Sequence, residues 1–165
     1  MMDEKLHAMR HSAAHVLAAA IQKLYPEAQF GVGPVVEHGF YYDVKFAESL
    51  TDKDLKKIEK AMRSIIQQNL PIQREEWGIE QAVEYFKGQD QPYKVELLQD
   101  LQQHGTTKLK DFKNEDVGVA DNVEKITTVS VYRLGHFVDL CKGPHVSSTG
   151  EVGAIKLNKL AGAYG

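Results

Sequence analysis

The sequence predicts an α+β domain, and three observations predict it. Apolar residues recur at three- and four-residue steps from Asp3 to Leu24, the spacing of an amphipathic helix. A β-hairpin pattern follows between Phe30 and Phe46. Two alternating strands then meet at a turn within residues 125–141.

The first helix is carried by Leu6, Met9, Ala13, Val16, Leu17, Ala20 and Leu24, and Pro26 ends it. At about 100° per residue these positions share one side. His11 and His15 fall on the opposite side, flanked by Ala14 and Ala18 where a solvated face would carry Lys and Glu. In FGVGPVVEHGFYYDVKF an apolar strand runs through Val36, a turn occupies Glu37-His38-Gly39, and an aromatic strand continues to Phe46. TDKDLKKIEKAMRSIIQQNL opens with Thr51 and Asp54 in capping-box spacing and carries one stripe of Leu55, Ile58, Met62 and Ile65; Pro71 stops it. PIQREEW is a short strand, followed by a helix from Ile79 to Phe86, a loop from Gly88 to Pro92 and a short helix from Tyr93 to Leu101. Residues 102–122 are polar and weakly patterned, a loop with some strand.

KITTVSVYRL and GHFVDLC meet at a turn near Leu134-Gly135. Alternation sends Phe137, Asp139 and Cys141 to one face and His136, Val138 and Leu140 to the other. Pro144 forbids a regular helix through CKGPH, so Cys141 and His145 leave a strand end and enter a turn. GAIKLNKLAGAY closes the pattern as a strand and a Gly-rich tail.

Composition narrows the function classes. At 165 residues the chain suits one domain, expected to span 1–165. Its 42% hydrophobic and 26% charged residues are those of a globular protein. No apolar run reaches the roughly 20 residues of a membrane span, and the acidic start MMDEKLHAMR is unlike a secretory signal, so a cytoplasmic protein with no membrane partner is expected. A formal charge of -3 argues against general, charge-driven nucleic-acid binding. A local basic strip remains at Lys156 and Lys159, with two solvated lysines as its plain alternative.

Two spacings bear chemistry: HSAAH, from His11 to His15, and CKGPH, from Cys141 to His145. Histidines at i and i+4 on a helix can reach a common point. Ser12 stands where a metalloprotease helix carries glutamate, which disfavours that class. Neutral imidazoles and a thiolate could form a Zn²⁺ shell of His11, His15, Cys141 and His145, although an H-x₃-H with a C-x₃-H is not the paired C-x₂₋₄-C and H-x₃₋₅-H framework of a structural zinc finger. On the residues alone three readings stand: a metal site, a metal-free hydrolytic site, or residues with unrelated structural roles.

RHSAAHVLAAAIQKLYP, GVGPVVEHGFYYDV, DLCKGPHV and KLNKLAGAY, in that order, closely resemble the editing domain of bacterial-type threonyl-tRNA synthetase, with a more distant likeness to alanyl-tRNA editing domains. The resemblance covers essentially the whole chain. It implies an antiparallel sheet packed around a long central helix, with additional amphipathic helices. It also implies hydrolysis of serine wrongly esterified to threonine tRNA while threonyl-tRNA is spared. Typical members carry a small domain before this region and a large aminoacylation domain after it, so an excised editing domain is expected, without ligase activity of its own.

The resemblance assigns catalysis to His11, His15, Lys94, Cys141 and His145. Gly33 and Tyr42 are expected to shape the serine pocket, and Asp139, on the same strand face as Cys141, to bind the substrate ammonium. The plain alternatives are a core tyrosine at 42 and a surface helix lysine at 94. No cofactor is expected to be required, with Zn²⁺ at the His/Cys set as the alternative, as in a zinc-dependent deacylase of the alanyl type. The implied partners are the serine-carrying 3′ end of threonine tRNA and the rest of the synthetase, whose full-length members are expected to be homodimers. In a further alternative the chain is a non-catalytic docking module for the acceptor end, and Lys142, Lys156 and Lys159 would then matter more than the histidines.

Overall fold

The computed structural model describes residues 4–31, 35–36, 39–104, 127–141 and 143–153, except the side chains of Val35, Val36 and His104. Gly33, the Glu37-His38 turn, Lys142, Lys156, Lys159, the polar stretch from 105 onward and the strand expected in GAIKLNKLAGAY lie outside them.

Helix α1 (Glu4–Leu24) is the expected first helix. Its central residues are buried all round, from Ala13, Val16 and Ala20 on one side to His11, Ala14, His15 and Ala18 on the other. Leu6 and Leu24, expected in the apolar stripe, are instead 37% and 39% exposed, because the helix ends project past the layers packed on its middle. The expected hairpin forms as two short antiparallel ladders: β1 (Gln29–Phe30) pairs with β4 (Val44–Lys45), and β2 (Val35–Val36) with β3 (Gly39–Phe40).

Helix α2 (Asp52–Gln68) lays Ile58, Met62 and Ile65 against α1. The expected capping box forms between Thr51 and Asp54. The Asp54 carboxylate accepts the Thr51 backbone N–H at 2.9 Å, while the Thr51 hydroxyl donates to the same carboxylate at 3.1 Å. Asn69, at φ 49°, ends the helix in the left-handed conformation before Pro71 intervenes.

Strands β5 (Ile72–Gly78), β6 (Thr128–Leu134) and β7 (Phe137–Leu140) form an antiparallel sheet with β6 in the centre. Gly135, at φ 59°, makes the β6–β7 turn one residue later than expected. The sheet is buried on both faces. Ile72, Tyr132, Leu134, Phe137 and Cys141 join the core around α1 and α2. Trp77, Val129, Val131, Val138 and Leu140 pack against α3 (Ile79–Gly88) and α4 (Pro92–His104) through Val83, Phe86, Leu98 and Leu101. Antiparallel strands, the long enclosed helix and the amphipathic helices are the α+β architecture expected from the sequence.

After β7 the chain turns through Gly143–Pro144, a cis peptide, into a single 3-10 turn (Thr149–Val152) that the sequence pattern did not suggest. The turn is tied to the end of α2. The Thr149 hydroxyl donates to the Ile65 carbonyl at 2.8 Å and accepts the Leu70 N–H at 2.9 Å.

Candidate active site

Helix α1 and strand β7 cross with matching rungs. Four helical residues rise about 6 Å, and two strand residues rise nearly 7 Å. His11 and His15 therefore face Cys141 and Asp139 in turn. The Cys141 sulfur lies 3.7 Å from His11 Nδ1, and His15 Nδ1 lies 2.9 Å from Asp139 Oδ2, an ion-pair separation without in-line hydrogen-bond geometry. The strand alternation placed Asp139 and Cys141 on one face, and both side chains meet α1.

His145 enters from the turn. Its ring centre lies 4.6 Å from that of His15, 5.7 Å from that of His11 and 3.7 Å from that of Tyr132. Gly143 makes this approach sterically feasible: at φ 105° it occupies backbone space that favours glycine, and a Cβ there would stand 2.5 Å from the Tyr132 hydroxyl. Ser12, between the two histidines, accepts the Val146 N–H at 3.0 Å and pins the turn to α1. Ser130 donates to the Cys141 carbonyl at 2.8 Å and accepts the Cys141 N–H on its own backbone carbonyl at 3.2 Å.

Both ring nitrogens of His145 are enclosed without a hydrogen-bond partner. Burial, and then the nearby His15 and His11, depress its pKa far below the ordinary 6.5, so the ring is neutral. A neutral imidazole keeps one donor and one acceptor, and an enclosed pair left unmatched has capacity for a guest.

Lys94 is buried, 2% exposed, and the surface-lysine alternative is thereby excluded. Its ammonium donates to Asp139 Oδ1 and, at 2.9 Å, to the Tyr42 hydroxyl. Tyr42 in turn donates to Asp139 Oδ2, so it is more than a packing residue. Burial by itself would raise the Asp139 carboxyl pKa; the Lys94 ammonium and His15 beside it override that and hold it well below the usual range. Burial and the Asp139 charge keep the Tyr42 phenol protonated far into the alkaline range. Lys94 and the Leu140 N–H donate to Oδ1 and Tyr42 donates to Oδ2, with the His15 ring 2.9 Å from Oδ2, so polar and charged groups enclose the carboxylate.

Gln91 sets the height of Lys94. Its side chain accepts the Phe30 N–H at 2.8 Å and donates to the Ala28 carbonyl at 3.1 Å, clamping the start of α4 to the hairpin. Neither Gln91 nor the roles of Ser12 and Ser130 were read from the sequence. His7 also escaped notice, although it continues the row one turn before His11; their ring centres lie 4.4 Å apart.

The donor atoms of His11, Cys141 and His145 lie within 4.8 Å of one another, the grouping among the described residues that could hold a metal ion. Two imidazoles and a thiol suit Zn²⁺ chemically, and the unmatched nitrogens of His145 are compatible with such a ligand role. His15 stands outside that group, turned to Asp139.

Residues 129–162 match the family described as the threonyl and alanyl tRNA synthetase second additional domain. The chain is 44% identical over 162 residues to a threonine–tRNA ligase of Aromatoleum aromaticum, covering 98% of the chain and 22% of that protein. It is 45% identical to threonine–tRNA ligase 1 of Bacillus subtilis, with the same coverage. A threonine–tRNA ligase of Rhodospirillum rubrum is 46% identical over 160 residues, 96% of the chain and 22% of that protein. The chain thus spans little more than a fifth of these relatives. Almost every residue aligns within one stretch of them, and the family match takes in β6, β7 and the Cys141–His145 turn. The chain belongs to the family of the second additional domain of threonyl- and alanyl-tRNA synthetases, as the editing-domain region of threonine–tRNA ligases.

Proposed function

We propose that this site hydrolyses the ester of serine mischarged on threonine tRNA and spares the threonyl ester. One observation carries the reading. A thiol and three imidazoles from opposite ends of the chain converge beside a buried lysine–aspartate pair, in a chain that aligns along nearly its full length with threonine–tRNA ligases.

Serine is threonine less one methyl, and a pocket distinguishes such a pair by only ~1–3 kcal/mol. A second site that admits the smaller side chain and clashes with the larger removes the error that binding leaves behind. An aminoacyl ester is already activated. The site must orient a water, receive its proton and stabilise the oxygen that becomes negative.

His145 is suited to hold the water, because its nitrogens are unmatched and its depressed pKa keeps an acceptor lone pair available. His11, backed by Cys141, and His15 complete the proton-handling set. Lys94 supplies positive charge to the carbonyl oxygen. Asp139 is the natural seat for the substrate ammonium, which would take over the place of the Lys94 ammonium on Oδ1 and release Lys94 toward the ester. Tyr42 and Gly33 bound the serine pocket, while Lys142, Lys156 and Lys159 are assigned to the tRNA backbone.

Zn²⁺, held by His11, Cys141 and His145, would supply Lewis-acid polarisation of the ester in the rival reading. We favour chemistry by the side chains alone. The test is deacylation of seryl-tRNA(Thr) and threonyl-tRNA(Thr) by the purified chain, with and without chelator. Rapid, chelator-insensitive loss of serine alone is expected. Activity that vanishes with chelator and returns with zinc overturns the metal-free reading, and the absence of hydrolysis in both conditions favours a docking module.

A further inference from the structure

If the site edits seryl-tRNA, as proposed above, the nucleotide that bears the serine must also be seated. We propose that His7 is a binding residue for the base of the nucleotide that carries the amino acid, stacking on the terminal adenine of the aminoacyl-tRNA.

The placement follows from the row on α1. His7, His11 and His15 recur every four residues and so stand on one face of the helix. At the His15 end lie the buried charges of Asp139 and Lys94, the groups suited to an ammonium and a polarised carbonyl. In the middle, His11, Cys141 and His145 surround the reacting position. His7 occupies the other end, ring to ring with His11 at 4.4 Å and tilted by 46°. It is half-buried, whereas His11 is 2% exposed, so the row passes from the interior toward solvent at this residue.

The substrate has the same polarity. Its amino-acid end is small and charged; its ester oxygen belongs to a ribose; its base is one sugar ring further out. Seating the amino acid at Asp139 directs the nucleoside along the row toward His7. What stands there is a half-buried planar ring held against a second ring, whose outer face is suited to a purine, and base–aromatic stacking is independent of the protonation chemistry at the buried end.

The experiment measures kcat and KM of the chain on two esters of serine, the 3′-ester of adenosine and the methyl ester, which has no base. His7→Ala is expected to raise KM for the adenosine ester by about 5- to 150-fold, the span of one lost base–aromatic stack. Its kcat, its KM for the methyl ester and its melting temperature should stay close to those of the unsubstituted chain. His7→Phe, which keeps a ring and lacks the nitrogens, should restore most of the KM. An unchanged KM in His7→Ala overturns the proposal, as does a rise shared by both esters or one that Phe leaves uncorrected. If the unsubstituted chain turns over neither ester, the editing reading fails and this proposal with it; turnover with indifference to His7 defeats the proposal alone.

Discussion

Lys94 and Asp139 bring opposite charges into the interior, with side chains 3% and 1% exposed, so removing either strands the other. A buried pair that loses one member is destabilised by about 3–5 kcal/mol, whereas replacing both by apolar groups of similar volume is often near neutral. Lys94→Met and Asp139→Asn should each cost stability in that range, while Lys94→Met/Asp139→Leu should recover much of it. Urea unfolding of the three variants measures this. Single-variant losses that simply add in the double variant would show that the two groups are not coupled. Seryl-tRNA deacylation is expected to fall by about a hundredfold or more in all three, including the stable double variant, because each lacks the proposed ammonium seat, the charge proposed to face the ester, or both. A double variant that regains both stability and activity would reduce the pair to a structural role.

At the scale of elements, the site depends on two segments far apart in the chain meeting with matched spacing, helix α1 with strand β7 and its following turn. Ser12 is the pin between them, fully buried and bonded to the Val146 N–H. Ser12→Ala would leave that half-buried N–H without its acceptor, a loss of about 1 kcal/mol. The expected result is a lower melting temperature and a fall in kcat larger than the change in KM, since His145 shifts relative to His11 while the pocket at Tyr42 is untouched. A drop in stability with unchanged kcat would show that the turn holds its position without the pin. Much of this arrangement was legible beforehand because it is periodic. The i, i+4 histidines and the alternation through Phe137, Asp139 and Cys141 each report a face, and the structure brings those faces together. What escaped was aperiodic. Gln91 lies in a loop whose sequence says nothing of the hairpin carbonyl it reaches, and Ser12 reads as an ordinary helix serine until its partner is known. Lys94 could not be told from a surface lysine because α4 is short and polar; its burial follows from where α3, β1 and β7 put it. His7 was legible and missed, since it obeys the same four-residue step.

For the whole molecule, the burial of His145 in the turn after β7 and of Asp139 on β7 makes stability a function of pH. His145 is neutral in the folded protein and has a depressed pKa, whereas in the unfolded chain it takes up a proton near 6.5. Between those values the unfolded state binds more protons, so stability rises with pH and, read downward, is lost as pH falls below about 6.5. Asp139 acts in the same direction from a lower starting point. Its carboxyl is held below the ordinary 3.8, so the stabilisation from its ionised form is present above 3.8 and is lost as acid drives the pH down through the folded-state value. Urea midpoints measured from pH 7.5 to 3 are therefore expected to decline in two stages, the first setting in below about 6.5 and the second below about 4. His145→Gln should flatten the first stage and leave the second, while Asp139→Asn should start from lower stability at pH 7.5 and lose the second. A first stage that persists in His145→Gln would assign it to another group, and a profile level from 7.5 to 5 would mean that His145 is as readily protonated in the folded protein as in the open chain, contrary to its enclosure against Tyr132, His15 and His11.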